Sequence, residues 1–210
     1  MFRMDDLIET VRLGRIEVLE EQLQKGMNSG LHAETLVSEG LLEAIGVVGE
    51  KFRKKEVFLA DVLMAARCVN AGLDILKPYL THDSTEDKGV AVCGAVKGDL
   101  HDIGIKLVEI MLMRKGFKVI NLGVNVGAET FVDAAIRHRA CLICCSAMLT
   151  VTAVETKFIV EEAVRRGIRD EVKIIVGGMA MSQASCDFIG ADAYAEDAAA
   201  CADTAETFFS

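Results

Sequence analysis

The sequence has no cluster of basic residues, no disulfide framework and no apolar run long enough to cross a bilayer. Its 23 lysines and arginines are outnumbered by 32 aspartates and glutamates, for a net charge of -9. Binding a phosphate backbone needs a concentrated cationic footprint, so no nucleic-acid partner is expected. The same negative charge disfavours anionic membranes. The longest apolar stretch, Cys141 to Leu149, is interrupted by Ser146 and falls short of the roughly 20 residues of a membrane helix. Met1 to Asp6 carries no secretory pattern. Seven cysteines, an odd number at irregular spacing, do not make a set of bridges and fit a reducing compartment. These absences together predict a cytoplasmic protein without membrane attachment.

What is present divides in two. A length of 210 residues allows one domain or two modest ones, each with its own core. Composition shifts once, in the polar stretch from Thr81 to Gly89 that follows Pro78. Before it, Val37, Leu41, Ala44, Ile45, Val48 and Phe52 recur at three- and four-residue spacing. Leu59, Val62, Leu63, Ala66, Leu73 and Leu76 do the same, which is the period of a helix with one buried face. With two shorter segments inside residues 4 to 26, this predicts a four-helix bundle over 1–82, followed by a linker at 83–88. After it, β-rich runs alternate with helical ones: Gly89 to Val96, Phe117 to Leu122, Cys141 to Ser146, Val172 to Val176 and Ala191 to Ala195. Five βα units predict a doubly wound parallel sheet of the flavodoxin or Rossmann-like kind over 89–210. Cys141, Cys144 and Cys145 contain a C-x-x-C, but within a strand they read as buried small hydrophobes.

The first of these strands runs into Gly98-Asp99-Leu100-His101-Asp102-Ile103-Gly104, an imidazole and a carboxylate on one strand-to-helix turn. A metal-ligating histidine normally gives its other ring N–H to a carboxylate or carbonyl, which fixes its tautomer, and Asp99 could supply that group. A plain solvated loop with Asp102 capping the helix is the competing account. Position decides between them. In doubly wound sheets ligands sit beyond the carboxyl ends of the strands where the winding reverses. An order of 2-1-3-4-5 would bring the first strand's Asp99 and His101 beside the third strand's Ser146 to Thr152, with Gly177-Gly178 at the end of the fourth. His101-Asp102 also spells the signature of HD-type phosphohydrolases, but those sites need an all-helical frame and further histidines. A receiver domain would need an aspartate where Ser146 stands.

Asp99-x-His101-x-x-Gly104, Ser146-x-Met148 and Gly177-Gly178 resemble, in order and spacing, the D-x-H-x-x-G, S-x-L and G-G signatures of the corrinoid proteins of methylamine, methanol and methoxyl methyltransferase systems. The trimethylamine type is nearest, and the cobalamin-binding module of methionine synthase is similar. The resemblance spans nearly the whole chain. It implies a cobalamin cofactor cycling between Co(I) and methylated Co(III), with His101 as the metal ligand in place of the cofactor's own dimethylbenzimidazole. Asp99 would hold the imidazole, and Thr152 would extend a proton relay. The cofactor would be bound by Gly98, Asp99, Leu100, His101, Asp102, Ile103 and Gly104 of the turn, by Ser146, Met148, Thr150 and Thr152 after the third strand, and by Gly177 and Gly178 beside the displaced tail. Phe52, Phe58 and Leu59 would cap its upper face, although by position alone these phenylalanines are ordinary core residues. The chain departs from the family at Ile105-Lys106, where Lys-Asn is usual, at Met148 for leucine, and at Ala60 and Gly127 for proline. The implied function is carriage of a methyl group on cobalt between a substrate-specific methyltransferase and an acceptor methyltransferase using folate or thiol. A reductive activase would be a further partner, and the chain would not be a complete enzyme alone. A free-standing cobalamin sensor or storage protein is the alternative.

Overall fold

The computed structural model describes residues 2–80 and 88–209, and it divides into two compact units, Met1–His82 and Asp83–Ser210. The linker expected at 83–88 lies outside the described residues apart from Lys88.

In the first unit α1 (Met4–Arg12) and α2 (Ile16–Asn28) precede a longer helical rod. That rod is built from α3 (Ala33–Thr35), a π-helical segment (Leu36–Leu42) and α4 (Glu43–Arg53), and is followed by α5 (Leu59–Leu80). The chain thus forms four rods, as the periodicity predicts, but the third contains wide turns that no apolar spacing announced. Leu7, Leu19, Leu23, Leu36, Leu41, Leu73 and Leu76 are buried in the bundle. Two glycines let the helices interlock closely: a Cβ on Gly40 would stand 2.6 Å from Leu7 Cδ2, and one on Gly72 would stand 2.7 Å from Leu41 Cδ1. Small residues at a crossing admit a partner's side chain that an alanine would push away.

The second unit alternates strands and helices. In chain order they are β1 (Val90–Ala95), α6 (Ile103–Arg114), β2 (Lys118–Asn121), α7 (Ala128–His138), β3 (Leu142–Ser146) and α8 (Thr150–Arg165), then β4 (Lys173–Gly177), α9 (Gln183–Ile189), β5 (Ala193–Ala195) and α10 (Ala198–Phe208). The strands form one sheet in the order β2-β1-β3-β4-β5, and every pairing is parallel. Central strands with helices on both faces are buried throughout, which is why β1, β3 and β4 are nearly unbroken apolar runs. One core cluster includes Val92, Phe131, Ile143, Ile159 and Val176, and another Cys93, Ile105, Leu112, Cys144 and Ile175. The register pairs Ala95 with Ser146 and Ser146 with Gly177, so the carboxyl ends of β1, β3 and β4 stop level with one another. The chain reverses its winding between β1 and β3, and this is where the site lies.

Phe131 of α7 is fully buried, and its ring lies against Gly94, where a Cβ would be only 3.0 Å from Phe131 Cζ. A cavity left there cannot be filled by a neighbouring side chain from glycine. Phe131→Ala is expected to cost about 3–5 kcal/mol, measured by denaturant unfolding followed by circular dichroism.

Candidate functional site

The turn after β1 is shaped by its backbone before any side chain acts. Gly98 has φ +80°, a left-handed conformation costly for residues with a Cβ, and the Asp99 N–H donates to the Val96 carbonyl at 2.9 Å. This closes the turn and places Asp99 on the buried side, with 0% exposure. Burying a carboxylate is unfavourable unless its oxygens are satisfied, and here both are. Oδ1 accepts the His101 N–H at 3.1 Å and lies 2.6 Å from His101 Nδ1. Oδ2 accepts the Met148 N–H at 2.6 Å and the Thr152 hydroxyl at 3.1 Å. Burial pushes the Asp99 carboxyl up, but the bonds from Met148, His101 and Thr152 outweigh it and hold the group below the usual carboxylate range. An ionised Asp99 accepts, so Nδ1 of His101 donates, and Nε2 is the ring nitrogen outside that bond. The imidazole is half-exposed, its side chain 53% accessible, which leaves Nε2 available to a metal.

Each residue predicted for the site has a definite place. Gly98, Leu100 and His101 are exposed on the turn; Leu100, at 70% exposure, presents an apolar side chain to solvent. Asp102 stands at the N-cap position of α6 without a side-chain capping bond, so the capping account of this residue does not hold. Ile103 opens α6. Ser146 ends β3, Thr150 opens α8, and the buried Thr152 reaches back to Asp99 from the first turn of that helix. The structure therefore brings Asp99, His101, Met148 and Thr152 into one hydrogen-bonded group. Phe52, Phe58 and Leu59 belong to the helical unit, where all three are exposed, at 43%, 82% and 59%. The expectation that such rings default to the core does not apply to them.

Beside this group a cavity of about 240 Å³ opens at the carboxyl edge of the sheet, lined by Gly104, Val108, Cys144, Ser146, Ile175 and Gly177 among others. A Cβ on Gly104 would meet no atom within 4 Å, so its lack of a side chain leaves space in the cavity wall rather than serving the fold. Gly178 differs. Its φ is +101°, and a Cβ there would lie 2.3 Å from the Ala147 carbonyl oxygen. The glycine pair lines the cavity, but Gly178 is also required by the chain's own backbone. Met148 lines the same cavity, as do Gly104, Ile105 and Val108, whereas Lys106 does not. The departure at Ile105-Lys106 thus puts an apolar side chain, not a cation, on the wall. A larger cavity of about 400 Å³ lies near Arg139, Cys141 and Glu171, but it includes none of the predicted site residues. The Cys144 thiol is raised by its contact with Cys201 and by burial, and burial pushes Cys145 up to about 12. Both remain protonated at neutral pH, in keeping with packing roles.

One role of an expected residue, Met148, and one further residue, Asn125, were not legible in the sequence motifs. Met148 acts on Asp99 through its main-chain N–H, which no side-chain motif can signal. Asn125, in the loop between β2 and α7, accepts the Gly98 N–H through Oδ1 at 2.8 Å. Its own signal was available: an asparagine among glycines after a strand, the residue type that best tolerates the left-handed φ of +56° found there.

A buried carboxylate holding a half-exposed imidazole at the winding reversal of a parallel sheet, beside a cavity open to the same edge, defines a ligand-site module of the doubly wound kind. Family comparison names it. A model of the B12 binding domain matches residues 89–203, and a second B12 binding domain model matches residues 4–77. The trimethylamine corrinoid protein 1 of Methanosarcina acetivorans is 38% identical over 87% of this chain and 85% of its own. The monomethylamine corrinoid protein of Methanosarcina barkeri superposes with a TM-score of 0.87 at 31% identity, over 97% of this chain and 96% of that one. One chain of the methanol:cobalamin methyltransferase complex of Methanosarcina barkeri matches with a TM-score of 0.56 at 26% identity, over 99% of this chain and 81% of that one. The chain belongs to the B12-binding corrinoid protein family, and its cofactor is cobalamin.

Because the folded state holds the Asp99 carboxyl below its unfolded value near 3.9, the stability this group contributes is complete above about pH 5. It is lost as pH falls through the lowered value. Relative to Asp99→Asn, whose amide would set an N–H against a main-chain or hydroxyl donor, the parent is expected to be more stable by about 1–3 kcal/mol at neutral pH. The gap should narrow below about pH 4. Urea unfolding of both proteins across pH checks this, and a gap that stayed constant into strong acid would contradict it.

Proposed function

We propose that the protein carries a methyl group on cobalamin between a substrate-specific methyltransferase and a second methyltransferase, with His101 as the protein's ligand to cobalt. The observation that carries the reading is the Asp99–His101 contact of 2.6 Å, which protonates Nδ1 and leaves Nε2 as a preorganised donor at the ligand edge of the sheet. When bound, the cofactor supplies a cobalt centre that accepts and releases methyl groups. The chain supplies everything around it.

His101 would hold the lower face, and Asp99 fixes its tautomer. Thr152 has one hydroxyl proton and two acceptors, the Leu149 carbonyl at 2.9 Å and Asp99 Oδ2 at 3.1 Å. It can therefore turn to Leu149 when a proton arrives at Asp99, and turn back when the proton leaves. Such a relay would let Asp99 gain or lose a proton without stranding a buried charge or an unpaired hydroxyl. Gly98, Leu100, Asp102, Ile103 and Gly104 would contact the corrin and its tail from the turn. Ser146, Met148, Thr150, Gly177 and Gly178 would do so from the opposing strand ends. The lining of the cavity by Gly104, Ser146, Met148, Gly177 and Gly178 supports placing the tail there. Phe52, Phe58 and Leu59 would exclude water from the upper face, a role supported by three large apolar side chains being left exposed on a folded helical unit.

Carriage is favoured over a sensor or storage role by the kinship with methylamine corrinoid proteins and by the match to a cobalamin methyltransferase complex. Partners are accordingly a donor-side and an acceptor-side methyltransferase, with a reductive activase to restore cobalt that has been oxidised. That no helix among the described residues could cross a membrane suits a protein that meets these partners in solution.

Two measurements test this reading. Protein loaded with cobalamin whose benzimidazole is 15N-labelled is expected to show no coupling from the labelled base in the EPR spectrum of its Co(II) state. Anaerobic incubation with donor-side methyltransferases and a methylamine, methanol and methoxyl panel should methylate the bound cobalamin. Coupling from the labelled base would overturn His101 as the ligand; failure to accept methyl from any donor would turn the assignment toward storage or sensing.

The cap is tested separately. Since Phe52 and Phe58 are exposed, replacing both by alanine is expected to shift unfolding stability by no more than about 0.5 kcal/mol, as for other surface positions. Photolysis of the methylated protein should nonetheless speed up. An unchanged photolysis rate would remove these residues from the cofactor's surroundings.

A further inference from the structure

The ligand turn is held by a residue that touches neither the imidazole nor the carboxylate. Asn125 donates its main-chain N–H to the Asp99 carbonyl at 2.9 Å, and its side-chain Oδ1 accepts the Gly98 N–H at 2.8 Å. One residue thereby grips the Gly98–Asp99 dipeptide at both ends. Its left-handed φ of +56° turns the side chain back toward its own backbone's partner, so the grip depends on that conformation.

The loop bearing Asn125 is itself tied to the sheet. Ala95 N–H donates to the Gly123 carbonyl at 2.9 Å, Val126 N–H donates to the Ala95 carbonyl at 3.0 Å, and Val96 bridges Val126 in parallel. Asn125 therefore links the ligand turn to the sheet through a loop that is itself bonded to β1. The turn needs such a link. Gly98 is exposed and, as glycine, has more conformations open to it than any other residue. His101 lies only three residues further on, half-exposed, and among the described residues its ring is hydrogen-bonded to Asp99.

We propose that Asn125 is a positioning residue for His101: its side-chain oxygen fixes the Gly98–Asp99 backbone and so the point from which the imidazole meets cobalt. The proposal rests on the reading of His101 as the cobalt ligand. A ligand atom must be held within about 0.5 Å of its productive place, and loss of a group that orients a ligating histidine typically weakens metal binding 10–100-fold.

The test uses full-length protein labelled with 15N-histidine, loaded with cobalamin and reduced to Co(II), with EPR reporting the fraction of cobalt coupled to labelled imidazole. Asn125→Gly removes the oxygen while keeping the left-handed backbone free of strain. Asn125→Asp keeps the acceptor. The expected result is strong histidine coupling in the parent, a roughly tenfold fall in the ratio of histidine-ligated to unligated cobalt in Asn125→Gly, and recovery toward the parent in Asn125→Asp. A merely structural role would shift thermal unfolding of the cofactor-free protein but leave the coupled fraction unchanged. Parent-like coupling in Asn125→Gly overturns the proposal, and so does Asn125→Asp behaving like Asn125→Gly. Absence of histidine coupling in the parent itself overturns the ligand reading, and the positioning role falls with it.

Discussion

The site depends on a single buried carboxylate. Asp99 brings a negative charge out of water, which several kcal/mol of lost hydration would forbid without compensation, and four donors from two turns supply that compensation. Two come from its own turn, through His101. The other two come from Met148, in the turn after β3, and from Thr152, in the first turn of α8. The carboxylate is thus a joint between the ends of β1 and β3 as well as the partner of the imidazole, and neither turn can move far without leaving it undersolvated. That coupling between fold and chemistry explains why its ionised form persists in an apolar setting.

The joint is possible because of strand order. With β1 and β3 adjacent and their last residues paired, Ala95 with Ser146, the turns that follow emerge side by side while their helices depart to opposite faces of the sheet. Winding reversal leaves a crevice between them. Close backbone approach extends it toward β4: Ala147 donates its N–H to the Gly177 carbonyl at 3.0 Å, and Ala180 donates to the Ala147 carbonyl at 3.2 Å. Only a residue without a Cβ fits at Gly178 under these bonds. The glycine signature at this edge therefore reflects an internal steric demand as much as a ligand's approach, and variants there change folding together with binding.

The helical unit obeys a different logic. Its leucines interlock across glycines, and among the described residues its fully buried side chains include no aromatic ring. Phe52, Phe58 and Leu59 are left over from that packing.

Much of this was legible in the residues. Continuous apolar runs located β1, β3 and β4, because strands covered on both faces carry little polar alternation. The edge strands are shorter than their apolar runs: Phe117 and Leu122 flank β2, and Ala191 precedes β5, each adding a side chain to the core from outside the strand's own bounds. The D-x-H spacing put carboxylate and imidazole within reach because only one residue separates them on one turn, a local fact that sequence by itself determines. Tertiary structure alone decided what completes the pair. Met148 gives a main-chain N–H 49 residues away from Asp99, Thr152 reaches it across 53, and Asn125 joins Gly98 across 27. Hydrogen bonds of that separation exist only after parallel crossovers have brought distant turns to one edge, and a backbone donor carries no residue-type signature by which it could be read beforehand.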